Sequence, residues 1–510
     1  MKQFIKYTSI TALMFGVLSC TNLDEQIKSN FTTAAPVLNP GVGVRDNLNK
    51  GTPTDGLSGA FTKLADGTAT NGGFFQASEL GTDEAVIAQK GGDWFDGGVY
   101  IALHKHQLSP VTASINDAWN QAYAGIFQCN DILPTVASDP AKVAQLRFLR
   151  AYFYWRLCDM FGNVKLSTLP GNTGAQVSRT TIFNFIETEL LAAVPDLPAG
   201  KGDYARGNQS AAWALLCRLY LNAEVYTGTP RYADAVTMAN NVINRAAFSL
   251  SPEYKDIFSY RNLDNVEHIF VVPFDETTQT GMNIAQMTLH YPSQLTYNLA
   301  EQPWNGYATL EEFYNSYDPA DKRRTNNFIV GPQVDVAGNP ILDLAFDKAD
   351  EDGAPINYTP KINELFPNSS RQAGARLGKF SFKLKQRQSM DNDYPLLRWS
   401  EVLLNKAEAL FRMNGYGDAT GLATVNILRA RAGVTPFVSL TAGQFLAERG
   451  RELFIEGLRR SDLIRFGAYG NAWWEKPAVN NPNFNLMAIP LQQMQVPGAG
   501  LTQNPGYPTN

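Results

Sequence analysis

Residues 141–161, AKVAQLRFLRAYFYWRLCDMF, decide the fold class. Phe148, Tyr152 and Trp155 fall at i, i+4 and i+7, one face of a helix, and Gly162-Asn163 follows as a helix stop. Upstream, helical spacing runs from about Ser114 to Leu133, with Pro134 and Pro140 punctuating the turn between the two. Downstream, further helices read at about 180–194, 209–226 and 230–246, with Ser178 and Asn208 placed to cap the first two. Connections this short make neighbouring helices antiparallel. The expectation is an all-α body of stacked helix hairpins, a TPR-like superhelix. The helix starts are unevenly spaced, so this rests on helix pairing and not on a sequence repeat of ~34 residues.

The remainder is less regular. Residues 55–65 have helical spacing, and residues 67–110, rich in glycine and aromatics, read as loop. Glu267–Phe274 (EHIFVVPF) reads as a strand, and residues 275–390 form a loop-rich insertion with few periodic stretches. Helical spacing returns at 395–413, 419–431 and 442–455, and the tail after Trp474 is irregular.

The N-terminus carries a separate message. Lys2 and Lys6 precede an uncharged stretch, Tyr7–Leu18 (YTSITALMFGVL), and Val17-Leu18-Ser19-Cys20 fits a lipobox. That stretch is too short to span a bilayer, which needs about 20 apolar residues, but suits a cleaved signal with lipid added to Cys20. Cleavage would take the net charge from −5 to −7. A mildly acidic chain argues against nucleic acid as partner. Cys129, Cys158 and Cys217 each sit in helical stretches and read as buried thiols. His104 and His106, which would face one side of a strand, lack acidic or thiol partners at ligand spacing, so no metal and no cofactor is expected.

Three C-terminal segments together resemble the SusD/RagB family of outer-membrane nutrient-binding lipoproteins. They are Leu397–Ala409 (LRWSEVLLNKAEA), Glu448–Gly467 (ERGRELFIEGLRRSDLIRFG) and Ile489–Tyr507, with its IPLQQMQ and LTQNPGY. The resemblance extends upstream through residues 149–166 (LRAYFYWRLCDMFGNVKL). It departs at Gly450, where the family often has arginine, and at Arg460-Ser461, where an aromatic pair is common. The implied organisation is a signal peptide at 1–19, a lipidated N-terminus and tether at 20–50, an N-terminal helical region with the ligand loop at 51–250, and a C-terminal region at 251–510. The resemblance also implies the extracellular face of the outer membrane. There the protein would act as a lid on a SusC-like TonB-dependent transporter, passing it an oligosaccharide.

The informative loop is Glu79–Tyr100, ELGTDEAVIAQKGGDWFDGGVY, in which glycine pairs flank Asp93-Trp94-Phe95-Asp96. Sugars stack their C–H faces on aromatic rings while carboxylates and amides hold the hydroxyls. The GTDE…GGDWFDGG pattern resembles the corresponding family loop, which gives the binding role to Trp94, with Asp83, Lys90 and Asp93 as polar candidates. Tyr291, Tyr297 and Trp304 form a second aromatic cluster, in the region from which family members add further rings. Two other readings compete: a glycoside hydrolase using Asp83 and Asp93 as paired carboxylates, and a helical scaffold for other proteins. No Ser-His-Asp order, phosphate loop or zinc motif supports catalysis. The charged run around Glu452 and Glu456 reads as an ion-pair network, with Arg449–Glu452, Glu456–Arg459 and Glu456–Arg460 at pairing distance along a helix.

Overall fold

The computed structural model describes residues 55–344 and 353–509. The expected signal peptide, the lipobox with Cys20 and the tether lie outside these residues. The helices Ala113–Ile132, Pro140–Phe161, Arg179–Ala193, Gln209–Leu221 and Tyr232–Arg245 follow the predicted order, each packed on the one before. Their starts are chemically defined: Asp139 Oδ1 accepts the Lys142 N–H, Ser178 Oγ that of Thr181, and Asn208 Oδ1 that of Ala211. Gly162 closes the 140–161 helix at φ 71°, a conformation that favours glycine. That helix is central. Phe148, Tyr152 and Trp155 are buried, but so are Phe153, Tyr154 and Phe161 on its other sides. Cys129, Cys158 and Cys217 are buried free thiols.

The stack does not end at Arg245. Trp399–Asn414 packs directly on Tyr232–Arg245, and Ala419–Ala432 packs on Trp399–Asn414, so the superhelix resumes after about 150 intervening residues as if uninterrupted. An antiparallel pair closes the insertion: His268–Pro273 against Asp393–Arg398, with Asp393 opposite Pro273 and Arg398 opposite His268. This corrects the expected helix at 395–413. Its first residues are extended, and the helix begins at Trp399. Pro395 favours an extended predecessor and has no N–H to give a helix. The loop expected over 67–110 also contains two short helices, Gly73–Glu79 and Val99–His104, both too short to show a period. His104 therefore ends a helix. Its Nε2 lies 2.8 Å from the Trp474 carbonyl oxygen, and His106 Nε2 lies 2.8 Å from that of Gly81. Burial pushes both imidazoles down, to about 4 and about 3, so both are neutral.

The charged C-terminal segment forms the ionic centre of the fold, though not along one helix. Ala442–Leu453 ends before Glu456, and Ile455 and Gly457 take positive φ (50° and 74°), which turns the chain into Arg459–Arg465. The expected i,i+3 and i,i+4 pairs are therefore replaced by long-range ones. Arg398 donates to Glu267 Oε1 (2.7 Å), Glu452 Oε1 (2.8 Å) and Glu456 Oε2 (2.7 Å). Arg431 and Arg323 also reach Glu452, and Lys379 holds Glu456. Arg449 and Arg465 clamp Asp462, and Arg465 grips Glu408 with two bonds. Burial alone would raise the Glu452 carboxyl, but Arg431, Arg398 and Arg323 outweigh it and hold it well below the usual range. Glu448 is held at about 2 against the same burial by Arg323, Arg451 and Arg429. These groups stay ionised and hydrogen-bonded, which suits structure and not proton transfer.

Glu452→Gln keeps the shape and removes the charge that three buried guanidiniums share. The expected loss is about 3–5 kcal/mol of unfolding free energy, read from the urea midpoint at unchanged slope. A loss below about 1 kcal/mol would mean that neighbouring carboxylates re-pair the arginines.

Candidate functional site

The loop after Gly73–Glu79 is fixed at its root by the ionic centre. Asp83 accepts two hydrogen bonds from Arg459, at 2.7 and 2.6 Å. Glu84 Oε2 accepts the Ile455 N–H at 3.0 Å, and Glu79 Oε1 that of Gly457 at 2.7 Å. The 455–457 turn thus donates its amides to the first residues of the candidate loop. Gly450, one of the departures noted in the sequence, belongs to this arrangement: a Cβ there would lie 2.8 Å from an Arg459 guanidinium nitrogen. The other departure has its own partner. Arg460 and Ser461 both bond Asp159 Oδ2, at 3.0 and 2.8 Å.

Beyond its root the loop runs as Val86–Ile87, antiparallel to Tyr307–Ala308, with Val86 opposite Ala308 and Ile87 opposite Tyr307. This short ladder brings together the two aromatic clusters that the sequence kept more than 190 residues apart. Trp94 Nε1 donates to the Trp304 carbonyl oxygen at 2.6 Å, and Tyr291 Oη donates to Asp93. The Trp94 ring sits 5.3 Å from that of Tyr100 and against Gly306, where an added Cβ would come within 2.5 Å of the indole. Trp94 and Asp96 both have positive φ (60° and 40°), strain held by these contacts and relieved on either side by glycines.

The other candidates are placed differently. Lys90 points inward, its ammonium on the Ala88 and Gly306 carbonyl oxygens at 3.1 and 3.3 Å. Burial, with Arg376 nearby, pushes its pKa well below the lysine range against the pull of Asp93. Tyr297 is edge-on to Phe382, with ring centroids 5.3 Å apart. Asp83 is engaged by Arg459 and does not join Asp93. Trp94, Trp304, Tyr291 and Asp93 therefore form the group, with Trp94, Trp304 and Tyr291 half-buried. Two further residues lie beside this group: Phe95, 50% exposed at the loop tip, and Asn305. Asn305 is fully buried at φ 58°, and its side-chain amide has no hydrogen-bond partner among the described residues. No cluster of three or more metal-binding side chains occurs among the described residues.

Two carboxylates beneath the loop are charged at a cost. Burial raises Glu79 to about 7, with the Gly457 N–H and Lys379 offsetting part of it. Burial and then Glu79 itself push Glu84 well above the carboxylate range. A raised folded-state pKa means the native chain holds the proton more tightly. Glu79's contribution is therefore full below its ordinary 4.5 and is lost as pH rises through about 7. Glu79→Gln keeps the acceptor for Gly457 and cannot ionise. Its melting temperature should decline less than the wild type's between about pH 5 and 8, and parallel curves would show that the carboxyl is not the titrating group.

Comparison with known proteins places this geometry in context. Residues 266–507 match the model of the SusD family, and residues 76–221 match a second described as "Starch-binding associating with outer membrane". The chain is 27% identical to the starch-binding protein SusD of Bacteroides thetaiotaomicron, over 99% of each chain. A laminarin binding SusD-like protein shares the fold with a TM-score of 0.70 at 22% identity, covering 89% of this chain and 98% of its own. Surface glycan-binding protein A from Bacteroides thetaiotaomicron, in complex with laminarihexaose, gives 0.69 at 20% identity, over 88% and 98%. At these identities the solved structures establish a common architecture: an all-α stack of helix hairpins with short strands and a loop-rich insertion.

Proposed function

Because the chain belongs to the SusD/RagB family, we propose that it is a glycan-binding lipoprotein of the outer membrane that captures an oligosaccharide and passes it to a SusC-like TonB-dependent transporter. The observation that carries this reading is the convergence of Trp94, Trp304, Tyr291 and Asp93 from two distant segments onto one exposed loop. Half-buried rings offer apolar faces for sugar C–H groups, and the Asp93 carboxylate and Tyr291 hydroxyl offer partners for sugar hydroxyls. The relatives agree in kind: one is named for starch binding, another for laminarin, and a third was solved with laminarihexaose.

The function is binding without covalent chemistry. A glycosidase needs one carboxyl free to donate a proton and a second to act as base or nucleophile. Asp83 is held by Arg459 in a bidentate bridge and Asp93 accepts from Tyr291, an arrangement that favours neither role. Lys90, from its buried place, supports the loop, and Asp83 anchors it. The lipid on Cys20 would tether the body as a lid, with the segment to about Lys50 setting its reach.

Trp94→Ala should lower the affinity for the glycan by about tenfold or more in calorimetry, with the melting temperature little changed. Unaltered affinity would remove Trp94 from the site. Cys20→Ala in the full chain should abolish acylation and membrane retention, while glycan affinity in the released protein stays the same. Loss of both together would mean that anchor and binding body are not separable.

A further inference from the structure

Asp96–Tyr100, the returning limb of the loop, lines a cleft of about 580 Å³. The start of the Ala113–Ile132 helix, the segment before it, Asn71 and Gln76 also line it. Its size falls within the ~300–1,000 Å³ of small-molecule sites. Tyr100 has Trp94 against its ring and its hydroxyl on Asp96 at 2.8 Å, so the cleft adjoins the aromatic group already described. Val99 and Val111 add apolar surface, Val111 being 66% exposed. Gln107, Ser109 and Ser114 add amide and hydroxyl groups. Ser114 is 3% exposed, and its hydroxyl has no hydrogen-bond partner among the described residues. A buried hydroxyl in that state needs a partner that the described residues do not supply, an ordered water or a ligand hydroxyl.

The charge of the lining is one-sided. Asp96 and Asp117 are its charged members, and among the described residues no lysine, arginine or histidine lines it. Sugar hydroxyls donate well to such carboxylates, whereas a sulfate or uronate would meet two negative charges and no counter-charge. We propose that this cleft is a second subsite, holding an uncharged stretch of the glycan chain and excluding sulfated and uronic-acid polymers. This rests on the glycan-binding reading and adds a place and a charge class to it.

The test uses the full-length acylated protein in detergent. The uncharged probes are malto-, laminari-, manno- and xylo-oligosaccharides, and the anionic probes are oligogalacturonate, oligoalginate and a sulfated galactan. The expected result is binding within the uncharged set and none of comparable strength in the anionic set. Ser109→Trp, which fills the cleft from a partly exposed position, should weaken the best uncharged ligand about tenfold. Asp117→Arg, on an exposed helix position, should weaken it less and raise the affinity for anionic oligomers. Circular dichroism melting confirms that both variants fold. If both variants bind within about twofold of wild type while Trp94→Ala does not, the cleft is not a subsite and the glycan reading stands. If the wild type prefers an anionic oligomer, the charge assignment is wrong. If it binds none of the probes, the cleft proposal and the glycan reading fall together.

Discussion

Arg398 is 1% exposed, so its five N–H donors must find acceptors inside the protein. Glu267, Glu452 and Glu456 supply carboxylates, and the Glu452 carbonyl supplies a further bond at 2.7 Å. Apolar burial is non-directional and tolerates sliding, whereas a forked guanidinium against fixed carboxylates tolerates very little. One side chain therefore sets the relation of three elements: the His268–Pro273 strand, its partner Asp393–Arg398, and the end of Ala442–Leu453. Desolvating so many charges is expensive, and the network is better understood as fixing register than as adding stability.

The candidate loop depends on this centre through the 455–457 turn. The chain leaves helical geometry after Leu453, and the turn that follows brings Glu456 back to Arg398 and Lys379. Its freed amides face Glu79 and Glu84, and Arg459, just beyond it, faces Asp83. The candidate site is thus an overhang on a rigid ionic base. The departures from the family pattern follow the same logic. Gly450 leaves room for Arg459, and Arg460 and Ser461 act together on Asp159.

Much of the fold was legible because helical periodicity is a local property. The starts near 140, 179 and 209 follow from capping residues, and Asp139, Ser178 and Asn208 perform that role. The misreadings have physical causes. Gly73–Glu79 and Val99–His104 are shorter than two helical turns, so no period develops. Residues 393–398 are extended because a strand on the far side of the insertion pairs with them, and Pro395 is the local sign of it that helical spacing overrode. The charged run looked like i,i+4 pairs because the turn at 455–457 is invisible until its distant partners are in place.

The site divides in the same way. The sequence by itself determined the helical class, the family, the flexible glycine frame around Asp93–Asp96 and the residue types suited to a sugar. These rest on local periodicity, composition and motif, all of which survive in one dimension. Only the tertiary structure decided which candidates meet. Val86–Ile87 pairs with Tyr307–Ala308 and draws Trp94 to Trp304 and Asp93 to Tyr291. Meanwhile Arg459 withdraws Asp83, and carbonyl oxygens take in Lys90. Those outcomes depend on which buried charge or amide each group must satisfy once water is excluded, and that is settled by packing.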